Sequence, residues 1–190
     1  MSHQRVQFTI HDYTNDRVGL IDSNAHRAPV QRSTRRNEGT SSTSYVRRAT
    51  RADAKRVIDL IVGLAKFERL KPPSARAKAR LFKHIFDRKL ANVFVATTDG
   101  KLVGYALYFY TYSSFVAKPS LYLEDIFVDE KARGKNIGQA LFKRCLEEAR
   151  RMGCGRMEWM VLDWNQKAIG FYEKLGAKQV SDQRLFRLEI

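Results

Sequence analysis

Cysteine is scarce in this 190-residue chain: there are two, Cys145 and Cys154. Two cysteines cannot build a disulfide scaffold, and no Cys/His cluster has zinc spacing, so neither a disulfide framework nor a metal is expected. The expected compartment is a reducing one, the cytoplasm. Long apolar runs are also missing. The longest spans residues 102–110 and contains Gly104, far short of the roughly 18 apolar residues of a membrane span. The N-terminus has no apolar core, so no secretory signal and no membrane partner are expected. Acidic residues are the minority charge, with 20 Asp and Glu against 35 Lys and Arg, a formal net charge of +15. Such a surface attracts polyanions such as nucleic acid, anionic lipid or phosphorylated cofactors, and repels free cations at long range. What the chain does have is 44% hydrophobic and 11% aromatic residues. That is enough for a core and excludes disorder of the whole chain.

Residues 1–44 are poor in apolar residues and end in a polar Ser/Thr/Arg/Asn run, which predicts a flexible extension. From Tyr45 the texture changes to that of a folded domain, residues 45–190. A short strand at 45–49 is followed by Thr50 as an N-cap with Asp53 three residues on, a weak capping box. Val57, Leu60, Ile61 and Leu64 recur at helical spacing, predicting a helix to about residue 68 that Pro72-Pro73 stops. Ser74 caps a second helix. Strands are expected at 92–97 and 102–111, joined by an Asp99-Gly100 hairpin turn. Lys118-Pro119 is expected to break the chain before a strand at 121–128. A helix at 137–152 carries the stripe Ile137, Leu141, Cys145 and Ala149. A strand at 156–162, a helix at 166–175 with Gly176 behind it, and a last strand or hairpin at 178–190 complete the expected order. The pattern predicts one α/β (α+β) domain with a mixed sheet.

Three segments carry chemistry. Arg133-Gly134-Lys135-Asn136-Ile137-Gly138-Gln139 lies between a strand and an amphipathic helix. Backbone N–H groups of such a turn, with the positive end of the helix, can cradle a phosphate or pyrophosphate, although a Gly-containing turn is also ordinary punctuation. The spacing is neither a P-loop nor a dinucleotide fingerprint. In Tyr122-Leu123-Glu124-Asp125-Ile126-Phe127-Val128 two carboxylates interrupt an apolar strand. Neighbours in a strand face opposite sides, so one carboxylate should enter a covered face or cleft, as a general base with raised pKa or as a structural ion pair. In the third segment, residues 163–177, Asn165 can cap a helix, and Tyr172 reads either as core or as a general acid facing a cleft.

Taken together, these segments resemble the GNAT superfamily of acetyl-CoA-dependent N-acetyltransferases, from residue 45 to about 190. The usual Arg/Gln-x-x-Gly-x-Gly/Ala turn is met by residues 133–138, except that Asn136 stands where Gly is usual. Asn tolerates left-handed backbone better than most residues. Leu64-Ala65-Lys66-Phe67-Glu68, the run from Gly104 to Tyr112, the Leu-Glu-Asp strand and Trp164-Asn165 are most similar to the spermidine/spermine (diamine) N-acetyltransferase branch.

The resemblance implies a mostly antiparallel central sheet, flanked by helices and splayed where acetyl-CoA binds. Pantetheine would lie on Ile126, Phe127 and Val128, and the pyrophosphate on Arg133, Gly134, Lys135, Asn136, Ile137, Gly138 and Gln139. Asn165, Ala168, Tyr172 and Lys174 would flank the cofactor chain. The implied reaction is direct attack of a primary amine on the thioester, with Glu124 as base through water and Tyr172 as acid for the leaving thiolate. Phe67, Glu68, Glu124 and Asp125 would hold the amine. No cysteine nucleophile and no metal are implied. Branch members are commonly homodimers, which implies a homodimer here. After the Gly-Ala turn only Asp182 precedes Glu189, fewer acids than the branch carries, so a diamine or a lysine- or ornithine-like amino acid fits at least as well as a long polyamine. Two other readings stay open: acetylation of protein or peptide amines, and a nucleic-acid-associated factor using basic pairs such as Lys143-Arg144 and Arg150-Arg151. For the latter, solvated helix faces are the favoured explanation.

Overall fold

The computed structural model describes residues 44–190. The expected extension over residues 1–44 lies outside the described residues, apart from Ser44, which opens the first strand. Five strands form one sheet in the order β1 (Ser44–Arg48), β2 (Asn92–Thr98), β3 (Lys101–Ser113), β4 (Lys118–Val128) and β5 (Arg156–Glu158). All neighbours are antiparallel except the parallel pair β4/β5. The hairpin between β2 and β3 turns at Asp99 and Gly100, both with positive φ (50° and 74°), the geometry that a two-residue hairpin needs and that the sequence predicts.

Helices cover both faces, so β2 reads as a continuous buried run rather than an alternating one. On one face α1 (Ala54–Phe67) packs Val57 and Leu60 against Val93, Val95, Tyr105 and Leu107. On the other, α3 (Ile137–Arg151) sets its stripe of Ile137, Leu141, Cys145 and Ala149 on Phe94, Ala106, Tyr108, Leu121 and Leu123. Between α1 and β2, Ser74 Oγ accepts the Ala77 N–H (3.3 Å) at the start of α2 (Ala75–Phe82). A π-helical turn, Lys83–Asp87, then buries Ile85 and Phe86. Asp53 accepts from the Thr50 N–H (2.7 Å) and hydroxyl (2.9 Å) and pairs with Arg47, closing the predicted N-terminal turn before α1.

A second carboxylate ties three elements together. Glu148 of α3 is 1% exposed. It accepts hydrogen bonds from Arg151 (2.7 and 3.0 Å), from Arg48 of β1 and from the Tyr110 hydroxyl of β3 (3.1 Å). The Arg151 hydrogen bonds, then those of Arg48 and Tyr110, hold its carboxyl down at about 2.

Three local expectations are corrected. The chain does not break at Lys118-Pro119: β4 starts at Lys118, and Pro119 is tolerated near the strand's first residue, its carbonyl accepting the Gly155 N–H at 2.9 Å. The strand expected at 156–162 ends at Glu158. Residues 178–190 form no strand: they pair with neither edge of the sheet, the edge strand β5 being only three residues long, and their apolar side chains stay exposed. No helix among the described residues is long and apolar enough to cross a membrane.

Candidate active site

The site is organised by an irregularity in β4. Leu107 pairs with Asp125 and Tyr108 with Leu123, so Glu124 is an extra residue, a β-bulge. Leu121 and Leu123 before the bulge and Ile126 and Val128 after it all lie on the α3 side, whereas Asp125 and Phe127 join the α1 side. Simple alternation is broken here: Glu124 is exposed, and Asp125 is the carboxylate that enters the covered face. The bulge also coincides with the end of pairing to β5. That pairing covers only Ser120–Tyr122 against Arg156–Glu158, so β4 from Leu123 onward has no β5 partner. The result is the expected splay, which leaves the backbone of β4 from Leu123 onward unpaired along one edge.

At one end of this edge is an acidic cluster. The Tyr105 hydroxyl, on a fully buried residue of β3, donates to Asp125 Oδ2 at 3.1 Å. Burial, offset in part by this hydrogen bond and reinforced by the charges of Glu124 and Glu68, pushes the Asp125 carboxyl up to about 6. Burial also raises the Glu68 carboxyl at the C-terminus of α1. Phe67 beside it packs on Trp164, ring centroids 5.9 Å apart. The Arg133 guanidinium lies over the rings of Phe67 (5.0 Å) and Phe127 (5.6 Å), and its Nε donates to the Val128 carbonyl at 3.1 Å. The structure therefore brings Phe67, Glu68, Glu124, Asp125, Phe127 and Arg133 together.

Next along this edge is a turn of unpaired amides. Gly134 has φ 79° and Asn136 has φ 57°, ψ 15°, so asparagine occupies the left-handed position that the sequence leaves to it. No hydrogen-bond acceptor among the described residues serves the N–H groups of Gly134, Lys135, Asn136, Ile137, Gly138 and Gln139; the first helical bond of α3 runs from the Ala140 N–H to the Asn136 carbonyl. Unpaired amides converging at a helix N-terminus, beside exposed Lys131, Arg133 and Lys135, fit a pyrophosphate. Gly104 lets β3 approach β4 closely here: a Cβ at that position would meet the Phe127 carbonyl oxygen at 2.9 Å.

After β5 comes α4 (Gln166–Lys174), whose first turn is capped by the Asn165 side chain accepting from the Ala168 N–H at 3.2 Å. Ala168 packs on the α3-side core, and Lys174 is exposed in the last turn. Tyr172 is 9% exposed among Phe142, Trp159 and Phe171. Its hydroxyl makes no hydrogen bond among the described residues. Burial pushes the phenol up to about 12, so it keeps its proton at neutral pH. Cys145 is buried, its thiol raised by burial to about 12, which leaves little thiolate to act as a nucleophile.

Sequence reasoning missed Tyr105, because a tyrosine inside an apolar run reads as packing. It also missed the bulge, which leaves no signature in composition or spacing.

Comparison with known proteins follows the same lines. The acetyltransferase (GNAT) family model matches residues 59–177. The chain is 44% identical over 90 residues to the L-ornithine N5-acetyltransferase NATA1 of Arabidopsis thaliana, a match spanning 47% of this chain and 40% of that protein. It is 31% identical over 150 residues to the thialysine N-epsilon-acetyltransferase of Mus musculus, spanning 74% of this chain and 88% of the relative. Among solved structures, that of a probable acetyltransferase superposes with a TM-score of 0.69 at 24% identity, covering 77% of this chain and 97% of the other, a likeness of fold.

Proposed function

Because the chain belongs to the GNAT acetyltransferase family, we propose that it transfers the acetyl group of acetyl-CoA to a short primary amine by direct attack in a ternary complex. The observation that carries this reading is the adjacency of an anion cradle and an acidic pocket along one splayed strand. The unpaired amides of residues 134–139 take the pyrophosphate, and Ile126, Phe127 and Val128 offer backbone groups to the pantetheine arm. Asn165, Ala168, Tyr172 and Lys174 flank it from α4. The Val128 carbonyl is held by Arg133 in the free protein, so cofactor binding displaces that guanidinium from the acceptor it uses.

The amine arrives as an ammonium. Phe67 and Glu68 guide it, and Asp125 anchors it. Glu124, exposed on the bulge, removes a proton through water. The neutral amine nitrogen attacks the thioester carbonyl, the C–S bond breaks, Tyr172 gives its proton to the departing thiolate, and the second proton lost by the nitrogen as the amide forms restores the phenol. The local acidic field reaches the amine despite the +15 charge because screening removes contributions beyond roughly 8 Å. Ornithine- or thialysine-like amino acids and diamines are the substrates we favour, in line with the activities named for the relatives. The free cysteines suit a reducing compartment, the cytoplasm. We also propose a homodimer, since Leu185, Phe186, Leu188 and Ile190 are exposed apolar groups that a second copy can cover.

The test is CoA release with acetyl-CoA and a panel of ornithine, lysine, thialysine, putrescine, spermidine, spermine and a mixed peptide library, with Glu124→Gln and Tyr172→Phe run in parallel. Turnover of one small amine, reduced at least about 100-fold in both variants, is the expected result. Silence with every small amine alongside turnover of peptides moves the substrate to protein amines; no acetyl-CoA binding defeats the enzyme reading.

A further inference from the structure

Position 105 is where the sheet calls for a plain hydrophobe. Its neighbours on the α1 face, Val93, Val95 and Leu107, are apolar, and Tyr105 itself is 0% exposed. A phenylalanine would fill the same volume with no polar atom to satisfy. The tyrosine instead carries a phenol oxygen into the core, where burying an unpaired hydroxyl is costly. That oxygen has one partner among the described residues, Asp125 Oδ2 at 3.1 Å, and Asp125 in turn has no other side-chain or backbone hydrogen-bond donor among them.

The other charged groups acting on this carboxylate are Glu124 on β4 and Glu68 at the end of α1; the nearby Arg133 guanidinium lies over the Phe67 and Phe127 rings instead. Burial and the two glutamates push Asp125 toward its neutral form; the Tyr105 hydrogen bond opposes them. A neutral carboxyl cannot anchor an ammonium.

We infer that Tyr105 is a positioning residue for amine recognition, its hydroxyl keeping the Asp125 carboxylate ionised and fixed at the floor of the acidic pocket. The inference rests on the amine site proposed above. It makes the amine affinity, rather than the acetyl-transfer step, the property that depends on Tyr105.

The experiment compares wild type with Tyr105→Phe in full pH profiles. Loss of one hydrogen bond to a charged group raises the Asp125 pKa by about one unit, a tenfold change in proton affinity. The acid limb of kcat/KM for the amine therefore moves up by about one pH unit. At pH 6 the amine KM rises about fivefold, and by pH 8.5 the difference disappears. The kcat and the acetyl-CoA KM stay within about twofold, a split that simple loss of packing does not produce. Titration of 13Cγ-labelled aspartate, with Asp125→Asn to assign the resonance, reads the same shift without turnover.

An unmoved Asp125 titration overturns the inference. So does a moved titration with an unmoved kinetic limb, since Asp125 then does not contact the amine. Wild type that turns over no amine defeats the site reading and this inference with it, whereas active wild type with an unchanged Tyr105→Phe profile defeats the Tyr105 role alone. Should Tyr105→Phe fail to fold, the wild-type 13Cζ resonance of Tyr105 decides: an inflection near pH 6 supports the coupling, and its absence refutes it.

Discussion

Glu148 and Asp125 are both carboxylates drawn off the protein surface, and they end in opposite states. Glu148 meets Arg48 and Arg151 and the Tyr110 hydroxyl, and its carboxyl is held down at about 2. Asp125 meets a single phenol and two further carboxylates, and its carboxyl is pushed up to about 6. Burial acts on both in the same direction; the partners decide the sign. A carboxylate surrounded by guanidinium groups is a structural tie, joining β1, β3 and α3. Asp125, with two acids and no cation among the groups that shift it, has no such tie, and in the function proposed above an arriving ammonium supplies the missing charge.

The contrast is sharpest in paired substitutions. Asp125→Asn removes a charge that the fold does not need, so the melting temperature should hold or rise while amine kcat/KM falls about 100-fold, equivalent to about 2.7 kcal/mol. Differential scanning calorimetry beside the CoA-release assay checks both halves, and a large drop in stability would contradict the distinction. Glu148→Gln should do the reverse. Breaking the tie costs about 2 kcal/mol, discounted because Arg48 and Arg151 are half exposed, and lowers the melting temperature by about 6 °C with kcat/KM preserved.

The pH dependence separates the two groups without mutation. Glu148 has a depressed folded pKa, so its contribution is complete above its unfolded value near 4.3 and drains away as pH falls toward 2. Asp125 has a raised one, so the folded state binds its proton first, and stability increases as pH falls from about 6 toward 4. Urea midpoints at stepped pH should therefore be higher in Glu124→Gln than in wild type at pH 7, where the mutual repulsion is removed, and converge near pH 4. The smallest effect belongs to the cradle: Asn136→Gly relieves a left-handed non-glycine residue and should stabilise by about 0.5 kcal/mol or less, read as a small rise in melting temperature.

How much of this was legible beforehand follows from what each feature depends on. The Asp99-Gly100 hairpin, the α3 stripe and the left-handed Asn136 depend on local chemistry, and all three stand where the sequence predicts them. The turn at residues 133–139 and the paired carboxylates were equally readable as a strand, a turn and a helix in succession. What escaped depends on partners distant in the chain. Arg144 and Arg151, in pairs that read as solvated helix faces, turn out to pack on Phe94 and to hold Glu148. Tyr105 is more than packing only because its hydroxyl reaches Asp125, a residue that the ladder sets opposite Leu107. The strand expected at 178–190 had alternating apolar residues, but the edge strand β5 offers only three residues to pair with.

The bulge at Glu124 has one more consequence, best put as a matter of insertion rather than exchange. If Glu124 were deleted, Leu123 would still oppose Tyr108, Asp125 would still oppose Leu107, and every later residue of β4 would keep its face. Glu124 is thus the one residue of the strand that the ladder does not use. A regular strand given this carboxylate as an added letter keeps each existing pair undisturbed, and no hydrophobic position is surrendered for it.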